Sequence, residues 1–508
     1  MEGNDLVTEK YEKNYTKHIF SGFIIIFSMT ILSTIAGYFF RVVIAKNLTV
    51  SEYGLFYSIY AILYLIFIFR DFGITSALMK YIPEFLVKKE HGKLKSSILF
   101  AALSITIIGM VLAIITILLS GFIATEYVKT PGSVELIKFL AIVFMFFSYD
   151  ALVTSIFAAY QKHWLYSLFQ FIKQALPLLF VAIFFSIGKD VTYIAYSFLL
   201  TSIIMIILFI ILIKKNLMSD FWVINQKMDY KLFSDITKFG YSVVFVSIGG
   251  LILQYTDTIM ITAFYTTKES GIYNAAIPIS NIFIYISAAL STIVFPLTSE
   301  LSAKKLTEKL AGGISFFYRY SLLILLPVAL VLFAFSDLIL SILFTPDYMG
   351  ASSSLRILLI GTVFFIIATI NFSVFSGIGK PEIVAKLTLT GAIINIILNA
   401  ILIPIFGITG AAFATGTSYF LMSVLSTITL KRYIPVHIPI MHWIKTIILS
   451  ILILFLIAGL KNILSFSVYT EAAVVIIISG IIYLIAAYLM KQISIEEIKA
   501  IITLVKKK

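Results

Sequence analysis

The sequence contains no cysteine, which excludes disulfides, thiolate metal sites and a cysteine nucleophile. Charge is scarce as well. Only 12% of the 508 residues are Asp, Glu, Lys or Arg, against about 25% in soluble proteins. With 60% hydrophobic residues, so little charge cannot cover a water-facing surface, and a soluble globular protein is excluded. Glycine (26) and proline (11) are too few for a fibrous or low-complexity chain. The five histidines (His18, His91, His163, His437 and His442) fall at segment ends or in loops. No two of them share ligand spacing on one helix, so no metal site is expected. What the chain has in excess is apolar, with a mean hydropathy of +1.05. The remaining class is an all-α, polytopic membrane protein.

A spanning helix needs about 20 mostly apolar residues, and the apolar runs predict roughly fourteen of them. They are expected near 18–45, 53–78, 96–125, 134–160, 163–187, 191–213, 237–265, 271–298, 313–343, 350–377, 382–405, 408–430, 441–461 and 469–490. No cleavable signal is read, because the N-terminus is polar and the first apolar run is too long for one. The net charge of +13 would suggest a nucleic-acid partner in a soluble protein. Here it reads as the positive-inside bias of a membrane protein. Of the 38 Lys and Arg, 28 fall in one alternating set of joints, 7 in the other and 3 inside spans. Both termini are therefore expected in the cytosol of a cell-membrane protein, and no nucleic acid is expected.

The expected organisation is a cytosolic N-terminus (1–17), a first lobe (18–213), a cytosolic linker (214–236), a second lobe (237–430), two further spans (431–490) and an interfacial tail (491–508). The lobes echo each other. Glu52 and Gly54 match Glu269 and Gly271, and Glu84-Phe85-x-x-Lys88-Lys89 matches Glu300-Leu301-x-x-Lys304-Lys305. Two six-helix halves in the same orientation imply an axis along the membrane normal, an architecture common among transporters.

Ionisable residues inside spans are costly and face a cavity or a partner. Those found are Arg41, Arg70, Asp71, Asp150, Lys173 and Asp257. Polar stripes at helical spacing accompany them: Thr30, Thr34 and Arg41; Tyr57, Tyr60, Tyr64 and Asp71; Asp150, Thr154 and Gln161; Tyr166, Gln170, Lys173 and Gln174; Ser247, Gln254, Asp257 and Thr258. Such one-sided faces suit a hydrated central cavity, and the tyrosines could stack on sugar faces. The competing reading is that they join helices, as an Asp150–Lys173 ion pair would.

No phosphate-binding loop is present: Gly377-Ile-Gly379-Lys380-Pro381 lacks the first glycine and the hydroxyl residue. Neither H-E-x-x-H nor G-x-S-x-G occurs. Asn47-Leu-Thr49 is a glycosylation acceptor by pattern.

At the level of motifs the chain resembles the Wzx-type oligosaccharide or polysaccharide-repeat-unit flippases of the MATE-like (MOP) transporter superfamily. The resemblance rests on Arg41 with Glu52-Tyr53-Gly54; on Asp71-Phe72-Gly73 leading to Tyr81-Ile-Pro83-Glu84; on Asp257-Thr-Ile-Met with Gly271-Ile-Tyr273-Asn-Ala-Ala; on Phe295-Pro296 with Ser299-Glu300; and on Asn395, Asn399, Pro404 and Gly407-Ile-Thr-Gly410. Family members often carry a proline early in span seven, whereas this chain has Gly240-Tyr-Ser.

The resemblance implies a non-enzymatic flippase built as a V-shaped pair of six-helix lobes, and a monomer is expected because each half can bury the other. It would move a lipid-linked oligosaccharide on a polyprenyl phosphate or diphosphate from the cytosolic to the outer leaflet by alternating access. Arg41 and Lys173 would contact anionic sugar or diphosphate. Asp150 and Asp257 could couple to H+ or Na+, with no other cofactor. Arg70, Asp71, Tyr60, Tyr64, Gln170 and Gln254 complete the candidate cavity. Partners would be membrane lipids and glycan-assembly proteins. A multidrug or cation antiporter of the same superfamily, a lipid II flippase, and a membrane polymerase or glycosyltransferase are the alternatives.

Overall fold

The computed structural model describes residues 26, 28–213, 230–463 and 467–493. The expected N-terminal segment 1–17, most of the linker (214–229) and most of the tail (494–508) lie outside the described residues. The described residues are helical, with no strand among them. Among the described residues twelve helices are long and apolar enough to cross a membrane, so the chain is a multi-pass, all-α membrane protein. The chain divides into two compact units, Met1–Gly271 and Ile272–Lys508.

The first unit contains α1 (Ser28–Asn47), α2 (Val50–Ile66), α3 (Ile74–Val87), α4 (His91–Phe122), α5 (Val134–Ala159), α6 (His163–Ile187), α7 (Thr192–Leu212), α8 (Tyr230–Phe264) and the first turn of α9 (Thr267–Ser280). Helix α8 begins inside the stretch read as linker, because Leu232 and Ile236 are spaced to bury one face among α3, α4 and α5. It was expected to open the second lobe, yet it packs on α2 and α3 and is counted with the first unit. Among the described residues of α8, Ile248–Phe264 forms an apolar stretch.

Span two is not one helix. A 3-10 turn at Phe67–Phe69 ends α2, and Phe72 (φ 43°) and Gly73 (φ 73°) reverse the backbone before α3. The Asp71 carboxylate accepts a bond from Gly73 N (3.2 Å) and a second from Thr75 Oγ1, which holds the first turn of α3.

The second unit contains the rest of α9, then α10 (Ile282–Ala303), α11 (Thr307–Ala334), α12 (Ser336–Leu343), α13 (Ser352–Gly377), α14 (Pro381–Leu430), α15 (Ile440–Ile463) and α16 (Val468–Leu489). The expected spans 382–405 and 408–430 form one element, α14, that leaves helical geometry at Gly407 (φ 58°, ψ −139°). Positive φ with that ψ is open only to glycine. The two arms are tied by Asn395 Nδ2 donating to Thr415 Oγ1 (2.9 Å), and Asn399 Nδ2 donates to Asn395 Oδ1 (3.1 Å). Another buried amide, Asn371 on α13, donates to Ser426 Oγ (2.9 Å) and Thr427 Oγ1 (3.0 Å) and accepts from Tyr318. With lipid outside, such bonds and close small-residue contacts join helices where the hydrophobic effect cannot. Gln492 follows α16 fully buried, with His442 Nδ1 2.9 Å from its Oε1 and Arg319 donating to its carbonyl (2.6 Å).

The sequence repeat has a physical content. Thr49 and Glu52 form a capping box at the start of α2, with Glu52 Oε2 2.9 Å from Thr49 N and 2.8 Å from its hydroxyl. Thr266 bonds Glu269 in the same way before α9. At the other ends, Glu84–Lys88 (2.6 Å) and Glu300–Lys304 (2.5 Å) pair before a left-handed lysine, Lys89 (φ 57°) and Lys305 (φ 56°). A third pair of helix ends, at Gln161 (φ 55°) and Gly379 (φ 75°), shares one pattern of backbone bonds. The three pairs are offset by 217, 216 and 218 positions (269 − 52, 305 − 89, 379 − 161). Gly379 thus terminates a helix, and Thr49 of the glycosylation pattern is committed to a cap.

Candidate functional site

Helix α2 places Tyr57, Tyr60 and Tyr64 on one face by steps of three and four. The rings form a ladder, Tyr57 to Tyr60 at 6.3 Å and Tyr60 to Tyr64 at 4.8 Å between centroids. Tyr64 stacks on Tyr255 of α8 at 4.8 Å and 20° between planes. Phe144 of α5 meets Tyr60 and Tyr64 edge-on at 5.3 and 5.2 Å, and Phe147 follows one turn later, 5.2 Å from Phe144. Phe198 of α7 stacks on Tyr60 at 6.2 Å. Helices α2, α5, α7 and α8 therefore meet at one aromatic cluster.

Three cations stand against it. The Arg41 guanidinium of α1 is 4.4 Å from the Tyr57 ring centre, Arg70 is 5.9 Å from Tyr64, and Lys173 Nζ of α6 is 6.0 Å from Phe147. A carboxylate stands beside the lysine: Asp150 Oδ2 lies 3.3 Å from Lys173 Nζ. Asp150 is 4% exposed and the Lys173 side chain 31%, so the carboxylate is enclosed and the ammonium is open on one side. Each of these cations can attract an anion, more strongly where water is excluded.

Of the sequence candidates, the structure brings together Arg41, Tyr60, Tyr64, Arg70, Asp150 and Lys173. The ion pair proposed between helices is formed, and it sits within the cluster. Asp71 caps α3 instead, since the turn at 70–73 separates it from the α2 stripe. Gln170 stays on α6, half-buried, 3.5 Å from the Tyr166 hydroxyl. Asp257 is buried on α8 (5% exposed), while Gln254 is exposed. Thr30 is exposed and Thr34 half-buried, and their hydroxyls bond the backbone of their own helix at Ile26 O (2.7 Å) and Thr30 O (2.9 Å). Gln161 ends its helix and Ser247 is among the side chains not described. The ring faces expected for sugar stacking are largely taken by other rings, so the cluster offers hydroxyl edges and cations rather than a bare aromatic plane.

Sequence reading missed Tyr255, Phe144, Phe147 and Phe198. Tyr255 is flanked by Gln254 and Asp257, and a polar-stripe count passes over it. The phenylalanines are silent among 45 in the chain.

Residues 19–302 match the profile of the family described as polysaccharide biosynthesis protein, and residues 243–401 match that described as MatE. An uncharacterised membrane protein of Methanocaldococcus jannaschii is 29% identical over 507 residues, covering 97% of this chain and 98% of that protein. A probable low-salt glycan biosynthesis flippase of Haloferax volcanii is 24% identical over 392 residues, 77% of this chain and 79% of that one. Among solved structures, the lipid II flippase MurJ in an inward closed conformation has the same fold, with a TM-score of 0.76 at 20% identity over 92% of this chain and 98% of that one. The Haloferax volcanii protein, as a probable one, and MurJ are named as flippases. The matched segment exceeds half of the chain, and the motifs and fold agree with it: the chain belongs to the polysaccharide biosynthesis protein family, within the MATE-like superfamily of transporters.

Proposed function

We propose that this protein is a flippase that carries a lipid-linked oligosaccharide, on a polyprenyl phosphate or diphosphate, from the cytosolic to the outer leaflet of the cell membrane by alternating access. The observation that carries the reading is the clustering of Arg41, Arg70 and Lys173 on one aromatic surface, with the Asp150 carboxylate beside Lys173. A phosphate-linked headgroup supplies the anion such a site attracts. A relative named as a probable glycan biosynthesis flippase supports the same class. Arg41 and Lys173 would contact the anionic group. Asp150 and Asp257 would couple transport to H+ or Na+. A multidrug antiporter would need a site dominated by carboxylates to hold a cation, which this cluster is not. The protein would act as a monomer beside glycan-assembly proteins, with both termini cytosolic.

The test is translocation in liposomes. Purified protein is reconstituted with a polyprenyl-diphosphate oligosaccharide, and exposure of the glycan on the opposite leaflet is followed with an added glycan-modifying enzyme. Wild type should accelerate translocation, and Arg41→Ala with Lys173→Ala should lower the rate by about 100-fold, as loss of two charge-assisted contacts implies. Equal rates with and without protein, or no effect of the double variant, would refute the assignment.

A further inference from the structure

Asp150 and Lys173 are unequal partners. The carboxylate sits enclosed on α5, the helix against which α2, α3, α4, α6 and α7 all pack, so it is fixed in place. The ammonium ends a flexible four-carbon stem on α6 and is open on one side. Pro177 follows Lys173 by four residues and has no N–H for its carbonyl. Helix α6 therefore lacks a backbone bond at the turn that carries the lysine. Among the helices packed on α5, α7 has no charged residue, and α2 and α4 carry theirs only near their starts. Lys173 is thus the cation that the described contacts give to Asp150, at 3.3 Å.

We propose that Asp150 is a positioning residue that competes with the anionic group of the ligand for Lys173, which keeps binding weak enough for release. The proposal rests on the anion-binding reading above. An anionic oxygen on the open side of the ammonium stands about 2.8 Å from Nζ, while Asp150 Oδ2 lies 3.3 Å from it. Two anions then share one ammonium, at most about 6 Å apart. If Lys173 stays where it is, they repel each other across it. If it turns to the ligand, an enclosed carboxylate is left without its cation. Either way Asp150 opposes the bound state, and an uncharged residue in its place does not. In the empty site the same carboxylate holds the lysine in position. A carrier has to bind its ligand on one side and let it go on the other, so a built-in rival anion serves turnover.

The experiment uses full-length protein and two readouts: binding of farnesyl diphosphate in detergent by calorimetry, and translocation of the polyprenyl-diphosphate oligosaccharide in liposomes. Asp150→Asn should bind the probe about tenfold more tightly, since a like charge is removed from beside it. The same variant should translocate about tenfold more slowly, because tighter binding is expressed mainly as slower release. Asp150→Ser, a smaller residue that fits the same space, should behave alike. In a Lys173→Met background, Asp150→Asn should leave probe affinity within about twofold, because the effect runs through the lysine. A purely structural role of Asp150 predicts the opposite pairing, weaker binding with slower transport. Asp150→Asn and Asp150→Ser proteins that bind no more tightly than wild type would overturn the competition and leave the functional reading standing, as would tightening that persists without Lys173. Wild type that does not bind the probe would overturn that reading as well.

Discussion

Asp150 shows how one residue is decided by its surroundings. It lies in the middle of α5, almost wholly enclosed, and Lys173 is the cation it faces at 3.3 Å. Removing one partner of a buried pair leaves a charge without compensation and costs about 3–5 kcal/mol where both are buried. Lys173 is open on one side, so the cost here falls near the lower end, about 3 kcal/mol. Lys173→Ala should therefore lower the melting temperature of the purified protein clearly, while Asp150→Asn with Lys173→Met should recover most of the loss. If the double variant melts no higher than Lys173→Ala, the pair is not what holds α5 to α6. The pairing was readable in the sequence as one of two options. Its place beside Phe147 was not, because an aromatic platform assembled from four helices has no periodic trace in any one of them.

At the scale of elements, the most constrained joint is the crossing of α2 over the first turn of α9. A Cβ at Gly54 would stand 1.7 Å from the Thr267 carbonyl oxygen, and one at Gly271 2.3 Å from that of Val50. Both obstacles are backbone, so neither helix can yield without moving as a body. Beneath the crossing, Ser58 bonds Thr262 at 2.7 Å and Ser270 at 3.0 Å, all three buried. Gly54→Val should thus cost about 3 kcal/mol or more, the upper range for overpacking. Gly121→Ala, where nothing lies within 4 Å, serves as the neutral control. Thermal melts in detergent compare the two, and equal melting temperatures would mean the helices do not cross this tightly. The repeated Glu-x-Gly pattern was visible in the sequence, and its purpose follows from this geometry. The glutamate closes a capping box, and the glycine two residues later permits the backbone contact. The turn at 67–73 was less legible: Asp71-Phe-Gly reads equally as the end of an apolar run, and only the left-handed Phe72 and Gly73 show that the helix breaks there.

Across the whole molecule, the asymmetry of Lys and Arg between alternate joints predicts orientation. The absence of cysteine makes it directly measurable, since any introduced thiol is the only one. A single cysteine at Lys268 should react with a membrane-impermeant maleimide added outside cells, and one at Lys305 only after permeabilisation. The reverse pattern would invert the proposed topology. The positive bias survives as evidence because it depends on counting charges at joints and not on where any helix begins.

Membrane residence, helical class, the repeat and the family were determined by the sequence alone. Each is a one-dimensional property: apolar length, charge at joints, and motifs at a fixed offset. Which charges meet was decided by the tertiary structure. Arg41, Arg70, Asp150 and Lys173 lie on different segments, and only packing of α1, α2, α5, α6, α7 and α8 brings them onto one set of rings. The same packing assigned Asp71 to a helix cap and recruited Tyr255 from α8, since a side chain's partner depends on the face its helix turns to a neighbour, which no single helix specifies.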